Sequence, residues 1–351
     1  MPDRSLENSA DSRPHRFLLV RLSSLGDVVH ALPAASALRD AFPEARIDWV
    51  IDARWQRLLE GNRDLNEVIA YDRKQAGSLS SLIRKLREAR YTCAIDFQGL
   101  YKSALLALAS GAPRRIGFQS SYAREGLVAI LYTDRVNPRG PHKVDHNRTL
   151  VERAGAKLGP PRCPLAIRPE DDELVTRELN NRSVADFYVL NPGGGWLSKC
   201  WPAQRYGELH RKLAQRHGWR GIVTVGPGEE NLARDLIHTA GDPAPIEIPL
   251  ALGPLMALLR RVKLMISADT GPLHIASALG TPVVGLFGPT DPARNGPFSS
   301  NDISIRNPRH SITTYARGAS YSPAMLSITV DQVLDAVERR MGCIDVDKGL
   351  R

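Results

Sequence analysis

The amino-acid sequence predicts an α/β protein with two Rossmann-like domains. Short apolar segments typical of strands alternate with segments of helical apolar spacing, first over Phe17–Ser110 and again over Phe187–Met341. Strands that alternate with helices favour a parallel sheet. The stretch Gly155–Arg168 is rich in Pro and Gly and reads as a linker. We therefore expect one domain over residues 15–168 and a second over 169–351.

The first domain shows the alternation clearly. Its predicted strands are Phe17–Leu22, Ile47–Ile51, Glu67–Tyr71 and Cys93–Phe97. Its predicted helices are Val28–Phe42, with Pro33 near the start or at a kink, Ser78–Ala89 and Ser103–Ser110. Residues 1–14 are polar, and we expect them to be a disordered N-terminus.

The second domain repeats the pattern. Its predicted strands are Phe187–Leu190, Gly221–Val225, Leu264–Ser267 and Pro282–Phe287. Its predicted helices are Ala203–Arg216, Asn231–Ala240, Leu255–Arg261 and, at the end of the chain, Asp331–Met341. A chain of 351 residues is long enough for two domains of this kind.

Composition narrows the class of partner. Lys and Arg number 47 against 38 Asp and Glu, a formal net charge of +9, which suits anionic partners. Basic residues form no uninterrupted block and aromatic residues are sparse, so we predict no nucleic-acid binding. The cysteines are scattered without a CxxC pair, which fits a reducing cytosol. We find no signal peptide and no apolar stretch of about 20 residues, and expect a cytoplasmic or membrane-peripheral protein.

The most informative segment is Met265–Ala276. An apolar run ends in Asp-Thr-Gly, and Pro272 follows, a residue favoured in the first turn of a helix. Leu273, Ala276 and Leu279 then continue with helical spacing up to Gly280. A strand that turns into a helix presents backbone N–H groups and a positive dipole end, which can bind a phosphate. The alternative is an ordinary strand–helix turn capped by Thr270.

A glycine-rich stretch also follows a predicted strand. In Asn191–Gly195, three glycines allow the backbone to approach a ligand closely. Lys199 follows, either as a contact to phosphate or as a solvated surface charge. No GxxxxGK[ST] is present, and the stretch Gly226–Asn231 starts like GxGxxG but ends in Asn. Dinucleotide-binding and P-loop chemistry are therefore not indicated.

Asp27 lies just after the first predicted strand. Open α/β sheets place their sites at the carboxyl ends of strands, so this carboxylate can reach a ligand. The alternative is a helix cap, a position that Asp favours. His274 lies one turn into the helix after Asp269, where a packed core residue is the alternative to a catalytic one. The histidines show no metal-binding spacing, and we predict no metal or other cofactor.

Taken together, these segments resemble the family 9 glycosyltransferases, the bacterial heptosyltransferases of lipopolysaccharide core assembly, and within them the heptosyltransferase I branch. The likeness extends from about Phe17 to about Pro308. It is carried by Ser23–Pro33, Ile95–Ala104, Ala123–Glu125, Lys199–Pro202, Asp269–His274 and Phe287–Pro292. It implies a GT-B fold, two Rossmann-like domains facing across a cleft, with the acceptor on the first and the nucleotide-sugar on the second.

The resemblance also implies roles for single residues. Asp27 matches the catalytic base of an inverting, metal-independent transfer, in which a departing diphosphate gains negative charge. Residues matching the donor site are Ser24, Gly194, Gly195, Lys199, Glu229 (on the nucleotide ribose), Asp269, Thr270, Gly271 and His274. Residues matching the heptosyltransferase I acceptor site are Lys102, Arg124 and His142.

The expected activity is transfer of heptose from ADP-heptose to an anionic, lipid-linked acceptor of the Kdo-lipid A type, at the inner face of the cytoplasmic membrane. The stretch Asn191–Trp196 departs from the heptosyltransferase I branch, which has hydroxyl side chains near the phosphates. This departure leaves open a relative that uses another nucleotide-sugar for another surface glycan. A nucleotide-sugar-binding module without catalysis is a third reading, which the presence of both Asp27 and Lys199 disfavours.

Overall fold

A computed structural model describes residues 15–310, 313–314 and 318–348. The predicted disordered segment, residues 1–14, lies outside the described residues. The chain divides into two compact units, Met1–Ala166 and Ile167–Arg351. Each unit contains one sheet in which all pairings are parallel, so the predicted α/β class with two Rossmann-like units is confirmed.

The described part of the first unit forms a sheet of six strands in the order β3-β2-β1-β4-β5-β6. This is the strand order of the dinucleotide-binding Rossmann sheet. The strands are β1 (Arg16–Val20), β2 (Arg46–Asp52), β3 (Glu67–Tyr71), β4 (Cys93–Asp96), β5 (Arg114–Phe118) and β6 (Asp134–Val136). The α-helices are α1 (Leu25–Val29), α2 (Leu32–Ala41), α3 (Gln56–Leu59), α4 (Ser78–Glu88), α5 (Tyr101–Ala109) and α6 (Lys143–Arg153).

The described part of the second unit repeats this topology, with the order β12-β11-β10-β7-β8-β9. Its strands are β7 (Phe187–Asn191), β8 (Arg220–Val223), β9 (Ile246–Glu247), β10 (Leu264–Ala268), β11 (Val283–Phe287) and β12 (Ile303–Arg306). Its α-helices are α7 (Pro169–Asn181), α8 (Ala203–His217), α9 (Glu230–Ala240), α10 (Leu252–Arg261), α11 (Gly271–Ala278), α12 (Pro292–Asn295), α13 (Pro323–Leu326) and α14 (Val330–Lys348).

The predicted helix over Val28–Phe42 is two helices. The first ends at Val29 and the second starts at Leu32, with Pro33 in its first turn. Proline lacks a backbone N–H and is tolerated there because that group has no partner within the helix. The prediction therefore joined two elements that Pro33 separates.

The strand registers place the predicted site segments. Val20, the last residue of β1, pairs with Asp96, the last residue of β4. In the second unit Asn191, the end of β7, pairs with Ser267 near the end of β10. The order in which successive strands are added reverses direction at these two central strands. Parallel sheets of this kind bind ligands at that point of reversal.

The C-terminal segment completes the core of the second unit. Met325 and Ile328, together with Val333 and Val337 of α14, join the buried cluster that contains Trp201. The Trp201 indole N–H donates to the carbonyl of Ile328 at 2.9 Å, which ties the residues just before α8 to this segment. The sequence analysis predicted the terminal helix but not these packing contacts.

Candidate active site

In the second unit, three predicted donor-site residues form a buried chain at the carboxyl end of β10. Lys199 Nζ lies 2.7 Å from Asp269 Oδ2, and His274 Nε2 lies 3.0 Å from Asp269 Oδ1. Burial by itself would raise the pKa of Asp269, but the hydrogen bond from His274 and the charge of Lys199 outweigh it and hold this pKa far below its usual range. Asp269 is therefore an ionised carboxylate that fixes both neighbours.

The turn from β10 into α11 has the form predicted for phosphate binding. Thr270 stands at the N-cap position of α11, and Pro272 lies in the first turn. The Thr270 hydroxyl makes no cap hydrogen bond and lies 3.0 Å from the hydroxyl of Ser267. Thr270 therefore holds the N-cap position without a side-chain cap bond, and phosphate binding at this turn remains a prediction. The start of α11 presents backbone N–H groups and the positive end of the helix dipole beside Lys199 and Asp269.

The glycine-rich loop after β7 is held by Glu229. Glu229 Oε1 accepts from the backbone N–H groups of Gly194 and Gly195 at 2.9 and 3.0 Å, and Oε2 accepts from Gly226 at 3.0 Å. A Cβ at Gly193 would meet Glu229 Oε2 at 2.0 Å, so a larger residue there would displace the carboxylate that holds the loop. A phosphate reaching these two N–H groups would compete with Glu229, which the sequence could not indicate.

In the first unit, Asp27 lies in the short helix α1, near its start. Arg21 Nη2 lies 2.7 Å from Asp27 Oδ2, and Lys143 Nζ lies 2.6 Å from Oδ1. The Ser24 hydroxyl donates to Oδ2 at 2.8 Å. Burial by itself would raise the pKa of Asp27, but the two cations hold it well below its usual range. The carboxylate is ionised and fixed in direction.

Two of these contacts escaped the sequence analysis. Arg21 is the penultimate residue of the first predicted strand, and a charge near a strand end is ordinary. Lys143 lies 116 positions from Asp27 and comes to it only through the packing of α6. Ser24, predicted in the donor site, contacts Asp27 in the described structure, and its role with the donor remains a prediction.

The predicted acceptor residues fall into two groups. Lys102 and Arg124 interact electrostatically: burial lowers the pKa of Lys102, the charges of Arg73 and Arg124 add to this effect, and Asp52 opposes it. His142 is different, because it is only 7% exposed and its Nδ1 accepts from the N–H of Val144 at 3.1 Å. The buried ring caps α6, the helix that carries Lys143, and the acceptor contact of His142 remains a prediction.

The described residues offer no group of three or more His, Cys, Asp and Glu side chains placed to hold a metal ion. Within the same part of the chain, no helix is both long and apolar enough to cross a membrane.

Comparison with known proteins identifies the family of this chain. Residues 79–324 match the model of glycosyltransferase family 9 (heptosyltransferase). The chain is 27% identical over 297 residues to the lipopolysaccharide core heptosyltransferase OpsX of Haemophilus influenzae, covering 82% of this chain and 83% of the relative. It is 29% identical over 303 residues to lipopolysaccharide heptosyltransferase 1 of Pseudomonas aeruginosa, covering 83% of each chain.

Solved structures show the same fold. A family 9 glycosyltransferase from Veillonella parvula aligns with a TM-score of 0.81 at 24% identity, covering 93% of this chain and 97% of that one. The Escherichia coli heptosyltransferase WaaC with ADP-2-deoxy-2-fluoro heptose aligns with a TM-score of 0.73 at 25% identity, covering 92% and 99%. The fold is GT-B, and the chain belongs to glycosyltransferase family 9 as a heptosyltransferase enzyme.

Proposed function

We propose that this enzyme transfers heptose from ADP-heptose to a Kdo-lipid A type acceptor in assembly of the lipopolysaccharide inner core, at the cytoplasmic face of the membrane. Relatives named lipopolysaccharide heptosyltransferase 1 match it over most of its length, and a structural relative was solved with an ADP-heptose analogue. The observation that carries the proposal is the buried set of Lys199, Asp269 and His274 beside the start of α11.

On the donor side, the chain offers positive charge for a diphosphate. Lys199 and the backbone N–H groups at the start of α11, including that of Gly271, would bind the phosphates and stabilise the charge that grows as they depart. Asp269 holds the Lys199 ammonium in place at 2.7 Å. Glu229, still carrying lone pairs beside the loop it fixes, can accept from the ribose hydroxyls.

On the acceptor side, Asp27 would act as the general base. The acceptor hydroxyl attacks the anomeric carbon, the bond from that carbon to the diphosphate oxygen breaks on the opposite face, and the carbon is inverted. As the new bond forms, the attacking oxygen becomes strongly acidic, so even a carboxylate of low pKa can take its proton. Asp27 Oδ2 has Arg21 and Ser24 as partners and Oδ1 has Lys143, so Oδ1 carries fewer contacts and is the oxygen that would take the proton.

The acceptor's anionic groups would bind to Lys102 and Arg124. Kdo carboxylates and lipid A phosphates suit ammonium and guanidinium groups. A bound anion would offset the positive charges of Arg73 and Arg124, which lower the pKa of Lys102. Lys102→Ala and Arg124→Ala should raise the acceptor KM and leave ADP-heptose binding unchanged.

A direct test separates the donor and acceptor alternatives. Purified full-length enzyme is incubated with ADP-heptose, GDP-mannose or UDP-sugars and with acceptors that carry Kdo or a complete inner core, and products are identified by mass spectrometry. The proposal expects a heptose adduct on the Kdo acceptor. Product only on a heptose-bearing core would support a heptosyltransferase 3-like role, as the relative from Escherichia coli at 29% identity allows. Product only from another nucleotide-sugar would overturn the donor.

The base assignment has its own test. Asp27→Asn keeps the shape of the side chain and removes the basic oxygen, so turnover should fall by about 10²–10⁴-fold while the Kd for ADP-heptose stays nearly constant. The control Asp145→Asn changes an acidic residue in the first turn of α6 that the mechanism does not use. If Asp27→Asn retained more than about a tenth of wild-type kcat, Asp27 would be a helix-start residue and not the base.

A further inference from the structure

The first unit exposes large apolar side chains on two neighbouring elements. Tyr101, Leu105 and Leu108 are exposed on α5. On the 3₁₀ helix Gly126–Leu131, Leu127 and Ile130 are each 77% exposed, the highest fractions among the exposed large apolar residues of the described chain. We call these five residues the α5 patch. Exposed apolar clusters on a water-soluble surface mark sites of interaction.

The exposed residues of α5 form one row and those of the 3₁₀ helix form a second, and both rows lie along the contact between these two helices, which we call the seam. Ala104 of α5 packs in a buried cluster with Val128 and Ala129 of the 3₁₀ helix. Tyr101 and Leu108 stand at i−3 and i+4 from Ala104, so they share its helix face. Leu127 and Ile130 are three positions apart, which places them one above the other in a 3₁₀ helix. The apolar rows therefore flank the contact that joins their elements.

Cations stand at one end of this seam. Lys102 follows Tyr101 directly, and Arg124 lies three positions before Leu127. Glu125 stands at the same end, where its carboxylate accepts from the backbone N–H of Tyr101 at 2.6 Å. The charges of Arg73 and Arg124 lower the pKa of Lys102 and Asp52 opposes them, so cations outnumber carboxylates here. Apolar side chains beside a cluster of Lys and Arg are the pattern of a surface that binds an anionic bilayer, where apolar groups enter the acyl boundary and cations meet the headgroups.

We propose that the α5 patch inserts into the surface of an anionic lipid bilayer and seats the enzyme on the membrane that carries its acceptor. The inference rests on the lipid-linked acceptor of the proposed function. A second copy of this chain is a poorer occupant, because a symmetric contact across the α5 patch would bring two like-charged clusters into one interface. Anionic headgroups replace that repulsion with attraction.

The test uses full-length enzyme and vesicles of phosphatidylcholine, with or without phosphatidylglycerol, in a sedimentation assay. Leu127→Ser/Ile130→Ser keeps the net charge, so a loss of binding reports the apolar rows alone. We expect its affinity for vesicles containing phosphatidylglycerol to fall at least about tenfold, since each buried leucine or isoleucine contributes more than a factor of ten. The matched control is Leu79→Ser/Leu174→Ser, two leucines exposed by 47% and 37% elsewhere.

A second variant reports insertion directly. Leu127→Trp should bind vesicles at least as tightly as wild type, and the emission of the added indole should shift to shorter wavelength with vesicles present. Equal vesicle binding by wild type and Leu127→Ser/Ile130→Ser, or an equal loss in the control, would overturn the proposal. So would sedimentation of the protein alone as a dimer that this double variant dissociates.

An assay with a water-soluble acceptor tests the proposed function separately from the proposed membrane surface. With ADP-heptose and a deacylated, water-soluble acceptor, Leu127→Ser/Ile130→Ser should turn over at the wild-type rate, because neither side chain belongs to the proposed chemistry. If wild type fails to use ADP-heptose while the double variant still loses vesicle binding, the proposed function is wrong and the membrane surface stands. If turnover is as proposed and vesicle binding is insensitive, only the surface is wrong.

Discussion

Asp27 and Asp269 are buried carboxylates whose neighbours decide their charge. Burial in each case raises the pKa, and a lysine with a second partner more than reverses the effect. Asp27 is paired with Arg21 and Lys143, and Asp269 with Lys199 and His274. Both carboxylates are charged at neutral pH, and each fixes a lysine ammonium that a ligand can also use.

Lys143 should control the basicity of Asp27. Lys143→Met removes the cation on Oδ1, so the pKa of Asp27 should rise. The acidic limb of the kcat/KM profile should then move to higher pH, since the base is active only when deprotonated. Lys143→Arg should restore the wild-type limb, and the exposed Lys157→Met should leave it unchanged. An unmoved limb in Lys143→Met would show that this ion pair does not set the active form of Asp27.

Lys199→Ala should weaken donor binding. The variant removes a charge-assisted contact to phosphate worth roughly 1.5–3 kcal/mol, so the Kd for ADP-heptose measured by calorimetry should rise about 10–150-fold. kcat should fall too if the contact strengthens as the diphosphate departs. The same variant also leaves Asp269 without one cation, so Lys199→Arg serves as the charge-preserving control. A donor titration curve identical to wild type would place Lys199 outside the donor site.

At the scale of the element, the loop after β7 depends on a side chain from the next crossover. Glu229 precedes α9 and accepts from Gly194, Gly195 and Gly226. Glycine loops are conformationally permissive, and ordering one costs more entropy than ordering other residues. The carboxylate therefore supplies the contacts that hold the loop in a single shape.

Glu229→Ala should loosen this loop. Three backbone N–H groups lose their acceptor, and we expect the free energy of unfolding to fall by about 1–3 kcal/mol and the Kd for ADP-heptose to rise. The control Glu230→Ala removes the neighbouring exposed glutamate, which accepts only from Gly228 among its described hydrogen bonds. Chemical denaturation and calorimetry on both variants check this. Wild-type stability and donor affinity in Glu229→Ala would make the three contacts incidental.

At the scale of the whole molecule, the two units share one topology and carry different chemistry. Each has its central pair of strands at the point where the sheet order reverses, β1 with β4 and β7 with β10. Asp27 follows β1, whereas Lys199 and Asp269 follow β7 and β10. One unit presents Asp27 between two cations at this point, and the other presents the Lys199–Asp269 pair beside the start of α11.

The enzyme should work without a divalent cation. Lys199 and the start of α11 supply the positive charge that a metal ion would otherwise give to the departing diphosphate. Activity with ADP-heptose should therefore persist in EDTA at the rate measured in buffer alone. Loss of turnover in EDTA that returns with Mg²⁺ or Mn²⁺ would contradict the mechanism, and a magnesium-dependent kinase assayed in parallel verifies chelation.

The sequence by itself determined the fold class and the segments of the site. The apolar runs of β7 and β10 and the turn residues after them are local signals, since strand propensity, glycine loops and Pro272 act over a few residues. The sequence analysis did not predict β5, which starts with the charged residues Arg114 and Arg115. There the neighbouring strands β4 and β6 supply the pairing that the local sequence does not indicate.

Tertiary structure alone decided the partners of the site residues. Lys143 reaches Asp27 across 116 positions, and Glu229 reaches the glycine loop across 35. Charge and hydrogen bonding depend on distance in space, so no periodicity in the sequence encodes which cation meets which carboxylate. His142 and Thr270 show the same limit, because the packing around them decided that the histidine caps a helix and the threonine hydroxyl does not.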